Sequence, residues 1–189
     1  IWQHAWNSSK ISFLWTMIVY PFNSDLALLR LYEEDHEALA LWDQLSANRR
    51  TVGFIGTEAT AKTSPVGSFY LRFPSYATSF SLASNHVLLR SELTGEAESD
   101  RRKIMKALAA GQFYVSLDVL GNPKGFAAYL QEGERIWPMG SRVKWVPGMK
   151  MNVRLPRKPR VPFEAAFLKD GQHIMSSNSV ETEYEIHGP

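Results

Sequence analysis

The spacing of apolar residues changes near residue 118, and this change constrains the fold more than any other feature of the sequence. Before that point, several stretches place apolar residues three or four positions apart, which is the spacing of one helix face. After it, short alternating runs are separated by Gly and Pro, at residues 126–130, 149–155, 163–168 and 180–186. The sequence therefore predicts an α/β domain over residues 1–118 and a small all-β sandwich over residues 119–189. Asp170-Gly171 is expected to form a hairpin turn between two of these strands. The last strand of the sandwich could lie beyond Pro189.

Residues 24–48 carry the first helix signals. Asn23 or Ser24 can cap the first turn and Asp35 can cap a second, so one kinked helix and two helices both remain open. The expected apolar face consists of Ala38, Leu39, Trp42 and Leu45. A later helix is expected to begin at Ser99 or Asp100, with an apolar stripe of Ile104, Met105, Leu108 and Ala109.

Three apolar runs are predicted as strands. Residues 51–56 are β-branched and apolar on both faces, as in a buried strand with both faces covered. Residues 85–90 and 112–118 flank the later helix, which Gly111 ends with a C-terminal glycine cap. Strand, helix and strand joined by short links predict an α/β layer.

The polar and aromatic stretch from 57 to 78 is predicted as a long loop, a kind of segment that is usually functional or disordered.

Composition excludes several kinds of site. The chain has 189 residues and no cysteine, so disulfides, thiolate metal sites and cysteine nucleophiles are excluded. The formal net charge is +2 and the one dense basic run, residues 154–160, is broken by two prolines, so no nucleic-acid partner is expected. The longest apolar stretch, residues 11–22, is shorter than the roughly 20 residues that span a bilayer, so no membrane span is expected.

Common catalytic motifs are absent from the sequence. The five histidines are spread singly, without His-x-His or His-Glu-x-x-His. There is no Gly-x-Ser-x-Gly elbow and no phosphate-binding glycine motif. The stretch that remains of chemical interest is "VGFIGTEATAK", residues 52–62.

The order of elements around this stretch resembles a known family. The matching stretches are "WDQL" (42–45), "VGFIG" (52–56), "NHVLLR" (85–90), "RRKIMKALAAGQFYVSLD" (101–118) and "GFAAYL" (125–130). Together they resemble the C-terminal portion of the polymerase and histidinol phosphatase (PHP) family of metal-dependent phosphoesterases, in the branch with a trailing β-sandwich. The resemblance covers residues 20–130 and implies a partial β/α barrel. The abrupt ends of the chain, at Ile1 and Pro189, suggest a fragment of a longer polypeptide.

The resemblance also implies a metal site with substitutions. In the family, Gly-x-Asp-x-His follows this strand, and its Asp and His bind catalytic metal ions. Here Glu58 stands in the Asp position and Thr60 in the His position. A glutamate can still offer oxygen to zinc, manganese or iron, whereas a neutral hydroxyl is a poor ligand. The family's other ligands come from earlier motifs that this sequence lacks, so we expect an incomplete or degenerate site with Glu58 as its metal ligand.

Two functions are compatible with the sequence. In the first, the chain is a PHP-like phosphoesterase fragment that works with the remainder of the same polypeptide, and Lys62 or Arg72 contacts a phosphorylated small molecule. In the second, it is a non-catalytic binding or structural module, a pseudoenzyme that contacts a glycan or a protein. The rings available for such binding are Phe69, Tyr70, Phe73, Tyr76 and Phe80, although core positions would equally explain them. The plainer alternative for Glu58 is a polar turn in which its carboxylate is solvated.

Overall fold

The computed structural model describes residues 10–30, 36–57, 63–66, 69–71, 75–159 and 162–188. The helices are α1 (Lys10–Val19), α2 (Ser24–Leu29), α3 (His36–Asn48), α4 (Tyr76–Leu82) and α5 (Ala97–Ala109), with a 3-10 turn at Asp118–Leu120. The strands are β1 (Thr63–Val66), β2 (Phe69–Leu71), β3 (Ser84–Val87), β4 (Phe113–Ser116), β5 (Ala127–Glu132), β6 (Arg135–Pro138), β7 (Lys150–Arg154), β8 (Ala165–Lys169), β9 (Gln172–Ser177) and β10 (Glu181–Glu185).

The strands form one four-stranded sheet, in the order β10-β7-β5-β6, and three two-stranded sheets, β1-β2, β3-β4 and β8-β9. Every pair with a described register is antiparallel. The chain therefore combines helices with antiparallel sheets, which confirms the coarse class predicted from the sequence. No barrel is formed by the described strands, so the expected partial β/α barrel is not seen there.

Contacts divide the chain into two compact units. The first contains the described parts of Ile1–His36, Phe54–Asn85 and Val115–Asn122. The second contains Glu37–Gly53, His86–Tyr114 and the described part of Pro123–Pro189. No helix in the described ranges combines the length and apolar character that crossing a bilayer requires.

Helices α1, α2 and α4 build the core of the first unit. Ala27 and Leu28 of α2 are 0% and 4% exposed. Asn23 caps α2, because its side chain accepts a hydrogen bond from the Leu26 N–H at 2.9 Å. This confirms one of the two predicted caps, whereas the predicted cap at Asp35 lies outside the described residues.

Helix α3 contradicts the prediction of an apolar packing face. None of its residues is buried, and Leu39 and Trp42 are 39% and 42% exposed. The Trp42 indole N–H donates to the Thr51 carbonyl at 3.1 Å, so this ring secures the chain just after the helix.

Helix α5 has a different N-cap from the one predicted. The Glu96 carboxylate accepts from the N–H groups of Glu98 and Ser99, so the predicted cap at Ser99 or Asp100 is wrong by several residues. The carboxylate sits at the positive end of the helix dipole and replaces the usual short side chain. The predicted stripe is also only partly right, because Ala107 is the buried residue and Met105 is 56% exposed.

The C-terminal glycine cap of α5 is confirmed. Gly111 has a φ of +63°, which a glycine adopts without strain. Its N–H donates to the Leu108 carbonyl at 3.0 Å, and the Gln112 N–H donates to the Ala107 carbonyl at 2.9 Å. This pair of bonds defines a Schellman motif and turns the chain from α5 into β4.

Asp100 holds the loop before α5 instead of capping the helix. Its carboxylate accepts from the N–H groups of Thr94 and Gly95, at 2.9 and 2.8 Å, and from the Thr94 hydroxyl at 3.0 Å. The Thr94 N–H contributes most to lowering the pKa of Asp100, with Gly95 and the Lys103 charge adding to it against a cost of desolvation. Hydrogen bonds of this kind favour the ionised form.

Replacing Asp100 with asparagine is expected to lower the Tm at pH 7 by roughly 2–4 °C. A lowered pKa stabilises the fold above the unfolded-state value, and this stabilisation is lost as pH falls through the folded-state value. Thermal unfolding of both proteins between pH 7 and pH 2.5 should therefore show a Tm difference that is constant from pH 7 to about pH 4 and becomes smaller below that pH. Glu98→Gln, at an exposed ion pair with Arg101, is the control. A difference that does not change with pH would contradict the assigned role.

The predicted strand at 51–56 is wrong. Residues 51–57 join no sheet, and the Phe54 side chain is 55% exposed instead of buried. The other two predicted strands of this region are confirmed in shortened form as β3 and β4, which pair with each other. Strand pairing depends on partners distant in sequence, which the apolar run alone does not specify.

The antiparallel sheets of the second unit meet at an aromatic contact. On the four-stranded sheet, Met151 pairs with both Leu130 and Tyr184, which places these side chains on one face. Phe167 of β8 is 4% exposed, and its ring lies 6.4 Å from that of Tyr184. Phe167 is buried and the other three side chains are half-buried, so together they contribute hydrophobic stabilisation to this part of the chain.

The predicted Asp-Gly hairpin turn is confirmed between β8 and β9. Lys169 pairs with Gln172, and the two residues between them, Asp170 and Gly171, have φ values of +52° and +73°. Positive φ at both central residues is the geometry that favours Asp-Gly in two-residue hairpin loops.

Strand β10 lies at an edge of the four-stranded sheet and carries glutamate at alternate positions. Glu181, Glu183 and Glu185 pair with Arg154, Asn152 and Lys150 of β7. The Lys150 ammonium lies 2.7 Å from Glu183, and this hydrogen bond raises the pKa of Lys150. Charged side chains along an edge strand oppose pairing with another chain.

Candidate functional site

The three side chains predicted to form a site lie outside the described residues. They are Glu58, Lys62 and Arg72, and Thr60 is outside as well. Their positions and contacts therefore stay predictions. The described flank of the predicted site consists of residues 54–57, whose backbone the Asn85 side chain holds.

Asn85 fixes the backbone of that flank. Its side-chain N–H donates to the Ile55 carbonyl at 2.9 Å, and the Ile55 N–H donates to the Asn85 side-chain oxygen at 3.0 Å. One amide side chain thus satisfies both backbone groups of Ile55, as a neighbouring strand would do. Ile55 belongs to no strand, so this pair replaces a sheet contact three positions before Glu58.

Trp42 holds residues 51–53, which precede this flank in the chain but belong to the second unit. Besides the bond from its indole to Thr51, its ring lies close to Gly53, where an added Cβ would meet the Trp42 ring at 3.6 Å. Residues 51–53 therefore run along an exposed helix side chain, and the aromatic character of Trp42 serves packing there.

Replacing Asn85 with alanine is expected to lower the free energy of unfolding by about 1–3 kcal/mol, because two half-buried backbone groups lose their partner. Asn85→Asp tests the geometry more strictly, since a carboxylate can accept from the Ile55 N–H but places oxygen against the Ile55 carbonyl. We expect Asn85→Asp to be at least as destabilising as Asn85→Ala in urea unfolding at pH 7. Wild-type stability in both variants would show that the amide does not hold Ile55. Asn48→Ala, which removes an exposed bond to Gln44, is the control.

The aromatic residues proposed for binding are only partly described. Tyr76 and Phe80 lie on one face of α4, are 53% and 64% exposed, and stack with centroids 6.1 Å apart. The side chains of Phe69 and Tyr70, and all of Phe73, lie outside the described residues. The core interpretation is therefore wrong for Tyr76 and Phe80, whose rings face solvent.

Within the described ranges, no three His, Asp or Glu side chains lie close enough together to hold a metal ion. The amide of Asn85 is the contributor that sequence reasoning missed. Its residue was included in a predicted strand, but nothing in the local pattern shows that its side chain pairs with a backbone thirty positions away.

Comparison with protein-family models, with curated proteins and with solved structures finds no significant match to this chain.

Proposed function

We propose that the chain is part of a PHP-like, metal-dependent phosphoesterase whose metal site is incomplete or degenerate. In this proposal the sheets formed by β5–β10 are the trailing β-sandwich, and the remainder of the same polypeptide supplies the missing ligands. The supporting observation is the double hydrogen bond between Asn85 and Ile55. It fixes the backbone that leads into Gly56-Thr57-Glu58, and a metal ligand needs such a fixed starting point.

The donor chemistry of this stretch fits a divalent cation only in part. The Glu58 carboxylate suits zinc, manganese or iron, whereas the Thr60 hydroxyl does not replace an imidazole. When bound, such an ion supplies a hydroxide at neutral pH for attack on phosphorus. Lys62 and Arg72 would hold the phosphate oxygens, Arg72 by a bidentate contact and Lys62 as a point charge.

A phosphatase assay with p-nitrophenyl phosphate tests this function. We expect weak hydrolysis that depends on added Mn²⁺ or Zn²⁺ and falls at least tenfold in Glu58→Gln. Arg72→Lys should raise KM more than it lowers kcat, because it weakens phosphate binding. Glu37→Gln on the exposed helix α3 is the matched control. Hydrolysis that is unchanged in Glu58→Gln would contradict the assignment of this residue.

The second candidate is a non-catalytic module that binds a glycan, and the exposed stacked pair Tyr76 and Phe80 favours it. Aromatic faces offer apolar area to the C–H face of a sugar ring at little cost in side-chain entropy. Titration of cello-, malto- and chito-hexasaccharides against the double variant Tyr76→Ala/Phe80→Ala tests it. We expect a loss of affinity of at least tenfold, with Ile136→Ala, which is 59% exposed, as control. Binding that survives the double substitution would exclude this surface.

A further inference from the structure

A carboxylate, a hydroxyl and an imidazole form a hydrogen-bonded chain on the β8–β9 hairpin. The Ser176 hydroxyl donates to the Glu164 carboxylate, and the same oxygen lies 2.7 Å from His173 Nε2. All three residues are exposed to solvent. None of them belongs to the flank of the predicted metal site.

A β-bulge brings His173 and Ser176 to the same face. Side chains three positions apart on a regular strand point to opposite faces. Here Phe167 pairs with Met175 and Leu168 pairs with His173, so Ile174 is an extra residue without a partner on β8. The extra residue shifts the alternation by one position, which re-aims His173 toward Ser176. Bulges often direct a side chain toward a functional site.

The hydrogens available to Glu164, Ser176 and His173 determine which of these side chains donates and which accepts. An ionised carboxylate accepts and does not donate, so the single Ser176 proton lies toward Glu164. The Ser176 oxygen then has only lone pairs left for His173. His173 must therefore carry hydrogen on Nε2 and donate it to Ser176, which distinguishes this arrangement from a serine whose base is the imidazole.

We propose that Ser176 is an activated hydroxyl that accepts an acyl group from activated esters. Glu164 takes the Ser176 proton while the oxygen forms a bond to the ester carbonyl carbon. The alcohol or phenol then leaves as its anion, and Ser176 keeps the acyl group as an ester. The His173 N–H orients the hydroxyl, and Leu168, which is 64% exposed and pairs with His173, offers apolar area to the acyl chain.

Acetylation by p-nitrophenyl acetate, followed by peptide mapping with mass spectrometry, tests this site. Treatment with alkaline hydroxylamine distinguishes acetyl-serine from acetyl-lysine, because it cleaves the oxygen ester of serine and leaves the amide of lysine intact. Ser75 is the internal comparison, since its exposed hydroxyl lies 2.8 Å from the Thr78 hydroxyl and caps α4 without a carboxylate. We expect Ser176 to be acetylated at least 10-fold faster than Ser75, which is less than the roughly 10²- to 10⁴-fold that a positioned base contributes in an enzyme, because this site is open to solvent.

Variants separate the roles of the two neighbours. Glu164→Gln keeps a side-chain oxygen that accepts from Ser176 but cannot take its proton, so acetylation should fall about tenfold. His173→Asn removes the donor at the Nε2 position, because the shorter amide does not reach as far as the ring, and it should cost less. Far-ultraviolet circular dichroism shows whether the variants stay folded. Equal rates at Ser176 and Ser75, or an unchanged rate in Glu164→Gln, would overturn the proposal. A larger loss in His173→Asn than in Glu164→Gln would also overturn it, because the imidazole would then be the base.

Discussion

Replacing Gly140 with alanine is expected to lower the free energy of unfolding by about 2–5 kcal/mol. Gly140 has a φ of +76°, which costs an L-residue about 1–2 kcal/mol. An added Cβ would also overlap the Ala110 carbonyl oxygen and lie 2.7 Å from the Gly111 carbonyl carbon. Both neighbours are backbone atoms at the end of α5, so they cannot move aside as a side chain would, and overpacking of this kind costs about 1–3 kcal/mol more.

A shared hydrogen-bond donor explains why the backbone at Gly140 lies so close to the end of α5. One Arg50 guanidinium nitrogen donates to the carbonyls of both Ala110 and Gly140, so these two backbone segments must lie side by side. Gly148→Ala is the matched control, because Gly148 has a similar φ of +81° and nothing within 4 Å of an added Cβ. Urea unfolding should therefore show the conformational cost alone in Gly148→Ala and the added clash in Gly140→Ala. Equal losses in the two variants would contradict the close approach.

Replacing Phe167 with alanine is expected to cost about 3–5 kcal/mol, the range for removing a buried phenylalanine. Phe167 is 4% exposed and lies between the β8–β9 hairpin and the four-stranded sheet, with its ring 6.4 Å from Tyr184. Removing the ring loses its burial and leaves a cavity that a sheet closes poorly. The adjacent residue gives the control, because Leu168 is 64% exposed and Leu168→Ala should cost less than about 0.5 kcal/mol.

The stabilities of Phe167→Ala and Leu168→Ala are measured by urea unfolding at pH 7, with tryptophan fluorescence as the signal. The midpoint should shift strongly for Phe167→Ala and hardly at all for Leu168→Ala, with similar slopes in the two proteins. Comparable midpoints would mean that Phe167 does not pack between the two sheets.

The sequence predicted the features that local chemistry determines. The glycine cap at Gly111, the Asn23 cap and the Asp-Gly turn all follow from the conformations that these residues favour. The predicted N-cap of α5 was wrong because Glu96 caps the helix instead. Its side chain, which is longer than those that usually cap helices, reaches two N–H groups. The alternating apolar runs in the last seventy residues also predicted strands correctly, since short runs of this kind between Gly and Pro do not fit a helix.

Features that depend on distant partners were not predictable. The apolar run at 51–56 has the composition of a strand, but its Ile55 pairs with one side chain, Asn85, instead of a sheet. The bulge at Ile174 depends on how β9 aligns with β8, so the alignment of His173 with Ser176 is invisible in the sequence. Glu58, Lys62 and Arg72 stay predictions that rest on the family resemblance.

Metal content is the most direct test of the proposed function. Protein purified without chelator, with its intact mass verified, would be analysed by inductively coupled plasma mass spectrometry beside Glu58→Gln and the control Glu37→Gln. We expect zinc, manganese or iron in the wild-type protein and in Glu37→Gln, with a loss of at least tenfold in Glu58→Gln. Protein of the correct mass that holds no metal, or holds equal metal in all three forms, would contradict a metal site at Glu58.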